Sequence, residues 1–175
     1  MQVNRIIDRI LRVNHAGECA AVQVYRGQLR GLGDDLEKKK LVSEMMKSEQ
    51  AHLQFFRSEI INLKTRPSLL LATWKSLAFG LGYLSARAGV PTAMACTVAI
   101  EEVIDEHYQK QIRLLEKISL SDTRLLKKIV QFRQDELDHR NIAMENEARK
   151  APCYVAITGI TKFCCRVGIF VAKRI

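Results

Sequence analysis

The sequence predicts an all-α protein: a four-helix bundle with a central apolar interfacial helical segment and a C-terminal accessory helix. Two observations carry this. Only three prolines and nine glycines interrupt 175 residues, and most of the rest is Leu, Ile, Ala, Glu, Lys, Arg and Gln, the residues that lose least freedom in helices. Apolar positions also recur at the helical period along most of the chain. At 47% apolar composition such a chain can bury one good core, so residues 1–175 are expected to form a single domain.

The first helix is read over 3–30, with Ile6, Ile10, Val13, Gly17, Ala21 and Val24 on one stripe. Gly31-Leu-Gly-Asp-Asp35 ends it and supplies capping chemistry for the next. The second runs from about Leu36 to Leu63 and stops at Arg66-Pro67. Residues 68–90 are apolar and aromatic, but Lys75 and Arg87 leave only eleven uncharged residues between them, and a spanning helix needs about 20. An interfacial helix or a helical hairpin lying on a bilayer suits that length; a buried core helix is the competing reading. A third long helix starts at Pro91, well suited to a first turn, and reaches about Lys117. Ser119-Leu-Ser-Asp122 offers N-cap chemistry for a fourth, read to about Lys150, and Pro152 opens the last helix.

The net charge of +9 is localised. Residues 60–100 hold Lys64, Arg66, Lys75 and Arg87 with no acid, and residues 148–175 hold Arg149, Lys150, Lys162, Arg166, Lys173 and Arg174, again with none. Both segments are also the most apolar, which fits an anionic lipid surface better than a nucleic acid, whose partners carry their bases on a polar face. The five cysteines (Cys19, Cys96, Cys153, Cys164, Cys165) lack metal-ligand spacing and read as small buried side chains in a reducing compartment. The N-terminal residues lead straight into an amphipathic pattern with no secretory leader, although a removed transit peptide would leave no trace.

Two of the four histidines stand in Glu-x-x-His pairs, Glu49-Gln-Ala-His52 and Glu136-Leu-Asp-His139. Residues three apart on a helix share a face, so both side chains can reach one ion. One such pair would be weak evidence. Each, however, follows a further glutamate: Glu18 lies 31 residues before Glu49, and Glu101 lies 35 before Glu136. The midpoints fall near Gly33 and Ser119, inside the two proposed turns. In an antiparallel hairpin, residues equidistant from the turn lie level, so each half presents two carboxylates and an imidazole at one height. Packing the halves gathers four carboxylates and two imidazoles, the di-iron or di-manganese arrangement of helix bundles. Apolar flanks such as Met45, Phe56, Val98, Ile129 and Phe132 imply burial, where carboxylates need cationic partners.

Imidazole and carboxylate donors suit iron or manganese, and the ligand set does not separate the two. Glu49 and Glu136, each beside a histidine of its own half, are the expected bridging ligands, with Glu18 and Glu101 terminal. His15 is the main competing ligand. Asp135, Asp138 and Asp105 are candidates to orient the histidines. Tyr25 and Tyr108 each follow a ligand glutamate by seven residues, two turns along the same face. They are expected to gate protons or electrons, or else to serve as hydrogen-bonded core residues.

The runs Leu11-Arg-Val-Asn-His-Ala-Gly-Glu18, Ala93-Met-Ala-Cys-Thr-Val-Ala-Ile-Glu-Glu102 and Phe132-Arg-Gln-Asp-Glu-Leu-Asp-His139 resemble those of the demethoxyubiquinone hydroxylases, ferritin-like di-iron monooxygenases of ubiquinone biosynthesis. The likeness extends from Ile7 to Ile175. It implies a ferritin-like bundle with two iron ions on Glu18, Glu49, His52, Glu101, Glu136 and His139, and it selects the first residue of Glu101-Glu102, which spacing alone does not fix. It also implies oxygen as co-substrate, reducing equivalents from NADH, and hydroxylation of the ring of a polyprenyl demethoxyubiquinone approaching past Tyr108 and His107. The expected location is peripheral, on the cytoplasmic face of a bacterial cell membrane or the matrix face of the mitochondrial inner membrane. Other ubiquinone-biosynthesis proteins and a second copy of the chain are the expected protein partners. Cys19-Ala20 stands where the family commonly has Tyr-Gly, and Glu106 where another histidine often precedes His107. The alternatives are a ferritin-like iron-storage or peroxide-reducing protein and a di-iron hydroxylase of another aromatic substrate.

Overall fold

A computed structural model describes residues 2–118 and 123–175 of the chain. It has six α-helices and one short 3-10 turn among those residues: α1 (Gln2–Gly31), α2 (Leu36–Asn62), α3 (Leu71–Arg87), α4 (Val90–Lys117), α5 (Arg124–Glu145) and α6 (Tyr154–Ala172), with the 3-10 turn at Ala148–Lys150. Helices α1, α2, α4 and α5 form the ferritin-like bundle, as two antiparallel pairs, and α3 and α6 lie against its outside. Gly33, with φ of +61°, makes the turn between α1 and α2, a left-handed position that glycine reaches without Cβ strain. The Asp35 carboxylate then accepts from the Lys38 amide at 3.0 Å and starts α2.

Of the forms expected for residues 68–90, the structure shows a single helix, α3, rather than a hairpin. Other details depart from the sequence reading. Helix α5 ends at Glu145 rather than near Lys150, because the Asn146 side chain turns back onto the Ile142 carbonyl at 2.8 Å and Glu147 adopts a left-handed φ of 70°. Thr123, which accepts from the Leu126 amide at 3.2 Å, caps α5; the expected cap at 119–122 lies outside the described residues. Of the cysteines, only Cys19 and Cys96 are buried, while Cys153 and Cys164 are exposed.

The core is layered. One apolar layer contains Leu11, Phe55, Phe56, Leu115, Ile129 and Phe132. The other contains Leu32, Val42, Met45, Met94, Val98 and Ala143. Between the two, at the middle of all four bundle helices, lies a level occupied by glutamates and histidines.

Helix α3 docks on α1 through backbone. A Cβ on Gly27 would come within 2.6 Å of the Tyr83 amide nitrogen, and one on Gly82 within 2.7 Å of the Val24 carbonyl carbon. Its other side exposes Leu77, Phe79 and Leu84. Helix α6 buries little of itself and exposes Val155, Ile160, Phe163 and Phe170. By length and composition it is the one helix among the described residues apolar enough to cross a membrane. Two ion pairs one turn apart tie it side-on to α4: Lys162 to Glu102 at 2.5 Å and Arg166 to Glu106 at 3.3 Å.

Candidate metal centre

The six residues expected at the centre converge in the middle layer. Glu18, Glu49, His52 and Glu136 form one group and Glu49, Glu101, Glu136 and His139 another, with the donor atoms of each group within 4.8 Å of one another. All six side chains are buried, at 0–5% exposure. Glu49 and Glu136 belong to both groups, and Glu18 and Glu101 to one each. From the sequence, the first two are expected as bridging and the other two as terminal ligands. His15 belongs to neither; it lies 3.9 Å from the Cys19 thiol, one turn along α1.

Both histidines face the centre through Nδ1. His52 Nδ1 is 3.4 Å from Glu136 and 3.7 Å from Glu49, and His139 Nδ1 is 2.9 Å from Glu49. Yet neither nitrogen makes a well-directed hydrogen bond. The same holds for both oxygens of Glu49 and Glu136 and for one oxygen each of Glu18 and Glu101. Eight buried donor and acceptor atoms aimed at two shared points without hydrogen bonds would cost several kcal/mol per charge in an apolar core. Divalent cations at those points satisfy them all, and the oxygen and nitrogen donor set suits iron or manganese.

Electrostatics point the same way. Burial pushes the Glu18 carboxyl well above the usual range, reinforced by Glu49 and Glu136, and Glu101 likewise, reinforced by Glu136 and Glu49. Burial also opposes charge on Glu49, but contact with His139 and His52 holds its carboxyl low. Burial alone would lower the histidines, and the surrounding carboxylates instead raise His52 to about 12 and His139 to about 9. The layer attracts positive charge.

The outer edges of the two histidines differ. His52 Nε2 donates to the Asp135 carboxylate at 3.0 Å, with the Ser48 hydroxyl at 3.4 Å. A carboxylate only accepts, so Nε2 carries a proton, and Nδ1 is the nitrogen turned to the centre. Of the three candidate orienting acids, Asp135 alone acts this way. Asp105 pairs with Arg133 at 2.6 Å, and Asp138 accepts from Gln134.

The tyrosines cross between halves, which sequence spacing did not reveal. Tyr25 Oη on α1 donates to Glu101 on α4 at 2.7 Å, and Tyr108 Oη on α4 donates to Glu18 on α1. Both phenols are held well above their usual range, by burial first and then by the carboxylate each one faces. Also unforeseen is a reciprocal amide pair between Asn14 and Gln111, at 2.9 and 2.7 Å. Its Gln111 Nε2 donates to His107 Nε2 at 2.7 Å. Burial, aided by Lys173 and Lys110, pushes His107 down to about 4, so the ring is neutral and accepts. His107 and Gln111 stand four apart on one helix, a spacing visible in the sequence, but nothing in it joined them to Asn14 on α1.

A cavity of about 340 Å³ runs between α1, α3, α4 and α6 and ends on the metal layer. Glu18, Tyr108 and His107 border it, and its remaining wall is nearly all apolar, including Val24, Leu81 and Ile104. Thus one terminal glutamate, its phenol donor and the neutral histidine face an oily slot beside the most apolar exposed helices.

Residues 5–172 match the family described as Ubiquinone biosynthesis protein COQ7. The chain is 40% identical over 171 residues to the NADPH-dependent 3-demethoxyubiquinone 3-hydroxylase, mitochondrial, of Dictyostelium discoideum, covering 98% of this chain and 78% of that protein. It is 39% identical over 170 residues to the human protein of the same name, covering 97% and 78%. It is 38% identical over 170 residues to the 3-demethoxyubiquinol 3-hydroxylase of Rhodospirillum rubrum, covering 97% and 79%. With the buried centre, the apolar slot and near full-length likeness all present, the chain belongs to the COQ7 family of ubiquinone biosynthesis proteins.

Proposed function

We propose that this protein is a 3-demethoxyubiquinol 3-hydroxylase, a monooxygenase that hydroxylates the ring of a polyprenyl demethoxyubiquinone. The observation that carries this reading is the sharing of Glu18 and Tyr108 between the carboxylate layer and an apolar cavity. A hydroxylase of a lipid quinone needs both, whereas iron storage or peroxide reduction has no use for the cavity. Glu18, Glu49, His52, Glu101, Glu136 and His139 would hold two iron ions, Glu49 and Glu136 bridging. Bound there, the pair would supply the activation of dioxygen and the insertion of one oxygen atom into the ring.

The chain's own part is binding, orientation and proton control. The apolar walls take the prenyl tail and keep water from the ring. Asp135 fixes the His52 tautomer so that its lone pair stays on the centre. Tyr108 holds a proton at its phenol oxygen, one hydrogen bond from Glu18, at the point where the ring arrives. Burial keeps His107 neutral and Gln111, itself held by Asn14, occupies its Nε2, so the proton of the ring is on Nδ1 and available to a quinone oxygen.

Reducing equivalents come from a nicotinamide nucleotide. The sequence resemblance points to NADH, while the names of the Dictyostelium and human relatives specify NADPH. The exposed apolar residues of α3 and α6, set among acid-free basic segments, fit a peripheral seat on anionic lipid, at about 1 kcal/mol per basic residue near the surface. We infer a seat on the matrix face of the inner membrane or the cytoplasmic face of a cell membrane; relatives named mitochondrial and one from Rhodospirillum rubrum support the two settings. Metal analysis coupled to a quinone assay tests the proposal. About two irons per chain and a hydroxylated product are expected; a loaded protein that turns over peroxide but not the quinone would overturn it.

A further inference from the structure

A second, smaller cavity of about 240 Å³ opens on the opposite side of the metal layer, between α2 and α5. It differs from the first in every respect that matters to a ligand. Its wall carries three carboxylates, Glu44, Asp135 and Asp138, with the Ser48 hydroxyl and His139, and no lysine or arginine, on a chain whose net charge is +9. Glu44 and Asp138 are exposed at its mouth, and Asp135 is half-buried. At its floor His139 is only 5% exposed and its Nδ1, without a hydrogen bond, points at Glu49 and Glu136. His52 is pinned on its outer edge by Asp135, whereas His139 has no such hydrogen bond. The floor of this opening is therefore a buried histidine that joins it to the carboxylate layer.

We propose that this opening is the route by which ferrous iron reaches the centre, with Glu44 and Asp138 as the capture site and His139, at its floor, as the ligand that hands the ion to Glu49 and Glu136. The inference rests on the di-iron reading of the centre. Hard divalent cations prefer carboxylate oxygens, and a cleft lined by one sign of charge raises the local concentration and on-rate of its counter-ion. The apolar cavity offers a hydrated cation a single carboxylate, Glu18, behind a wall of aliphatic carbon. Iron and lipid thus approach from opposite faces, and a bound quinone does not block loading.

The test follows Co2+ uptake by the full-length metal-free protein, read as the rate of appearance of the visible ligand-field absorbance, together with final stoichiometry by metal analysis. E44Q/D138N is expected to slow uptake about tenfold and to flatten its dependence on salt, with about two ions still bound at the end. Leu41→Trp, which plugs the opening without touching a carboxylate, is expected to slow uptake as well. Ala78→Trp, in the wall of the apolar cavity, is expected to leave it unchanged. Unchanged rates in both the double variant and the plugged variant would overturn the route, as would slow uptake in Ala78→Trp alone. A wild-type protein that takes up no Co2+ would instead remove the metal centre itself, a different failure.

Discussion

The two halves of the bundle repeat one another in sequence and diverge in environment. Both α1–α2 and α4–α5 supply a glutamate, a Glu-x-x-His pair and a tyrosine seven residues after the first glutamate, and each tyrosine reaches the other half's glutamate. But Glu18 and Tyr108 border the apolar cavity, whereas Tyr25 stands edge-on to His139, with ring centroids 6.2 Å apart, deep in the second apolar layer. His52 is anchored by Asp135 and His139 lies at a polar opening. A near two-fold repeat of glutamates and histidines therefore yields two inequivalent positions, one beside an apolar cavity and one beside an acidic opening.

Removing a terminal ligand gives the largest expected effect. Glu18→Ala and Glu101→Ala should each lower bound iron from about two ions per chain to about one, and only the Glu101 variant should keep its remaining ion beside the cavity. Metal analysis with quinone-binding measurements checks this; equal loss of both ions in either variant would mean that the two positions act as one.

Next in size are the tyrosines. Tyr108→Phe should lower turnover by about 10²-fold, the scale of a lost positioned proton donor. Tyr25→Phe should leave turnover within a few-fold and lower the stability of the metal-free protein by about 1–3 kcal/mol, because a buried Glu101 oxygen loses its donor. Steady-state kinetics and denaturant titration separate the two, and a matching kinetic loss in Tyr25→Phe would break the asymmetry.

Asp135→Asn should weaken iron affinity by about 10-fold or more, the usual cost of losing an acid that orients a ligating histidine. Asp138→Asn should leave equilibrium affinity unchanged. Competition with a chelator of known affinity measures both.

The smallest effect concerns pH. His107 is held down to about 4 when folded, against an ordinary value near 6.5. Below about 6.5 the unfolded chain takes up a proton that the folded chain refuses, so this residue's contribution to stability is present above that pH and falls as pH drops toward 4. His107→Gln should therefore lose less stability than wild type between pH 7 and pH 5, by about 1–2 kcal/mol after denaturant titration of the metal-free forms. Parallel losses would place the histidine's proton elsewhere.

The long helices and the convergence of the six centre residues were legible because both depend on periods: 3.6 residues along a helix, and equal distances from a turn. What escaped the sequence depends on which surfaces face across helices. Three aspartates looked alike by spacing, and only packing distinguishes Asp135, which meets His52, from Asp105, which meets Arg133. The crossed tyrosines were hidden for the same reason: a phenol two turns from its own glutamate has no sequence relation to the other half's. Glu106, in a place where the family often has histidine, finds Arg166 sixty residues away. The early end of α5 turned on one side chain, Asn146, bending back on its own helix, a local competition that composition does not rank.

The bare contact of α1 and α3 at Gly27 and Gly82 has a consequence for how this cavity can change. Where two helices meet main chain to main chain, no rotamer stands between them to be re-chosen, so the spacing on that side is set by backbone van der Waals contact. Helix α6 rests instead on two ion pairs and a thin apolar seam, a mounting with play in it. The slot is thus a vice with one fixed jaw and one sliding jaw, and accommodation of a thicker or thinner occupant falls to the sliding one.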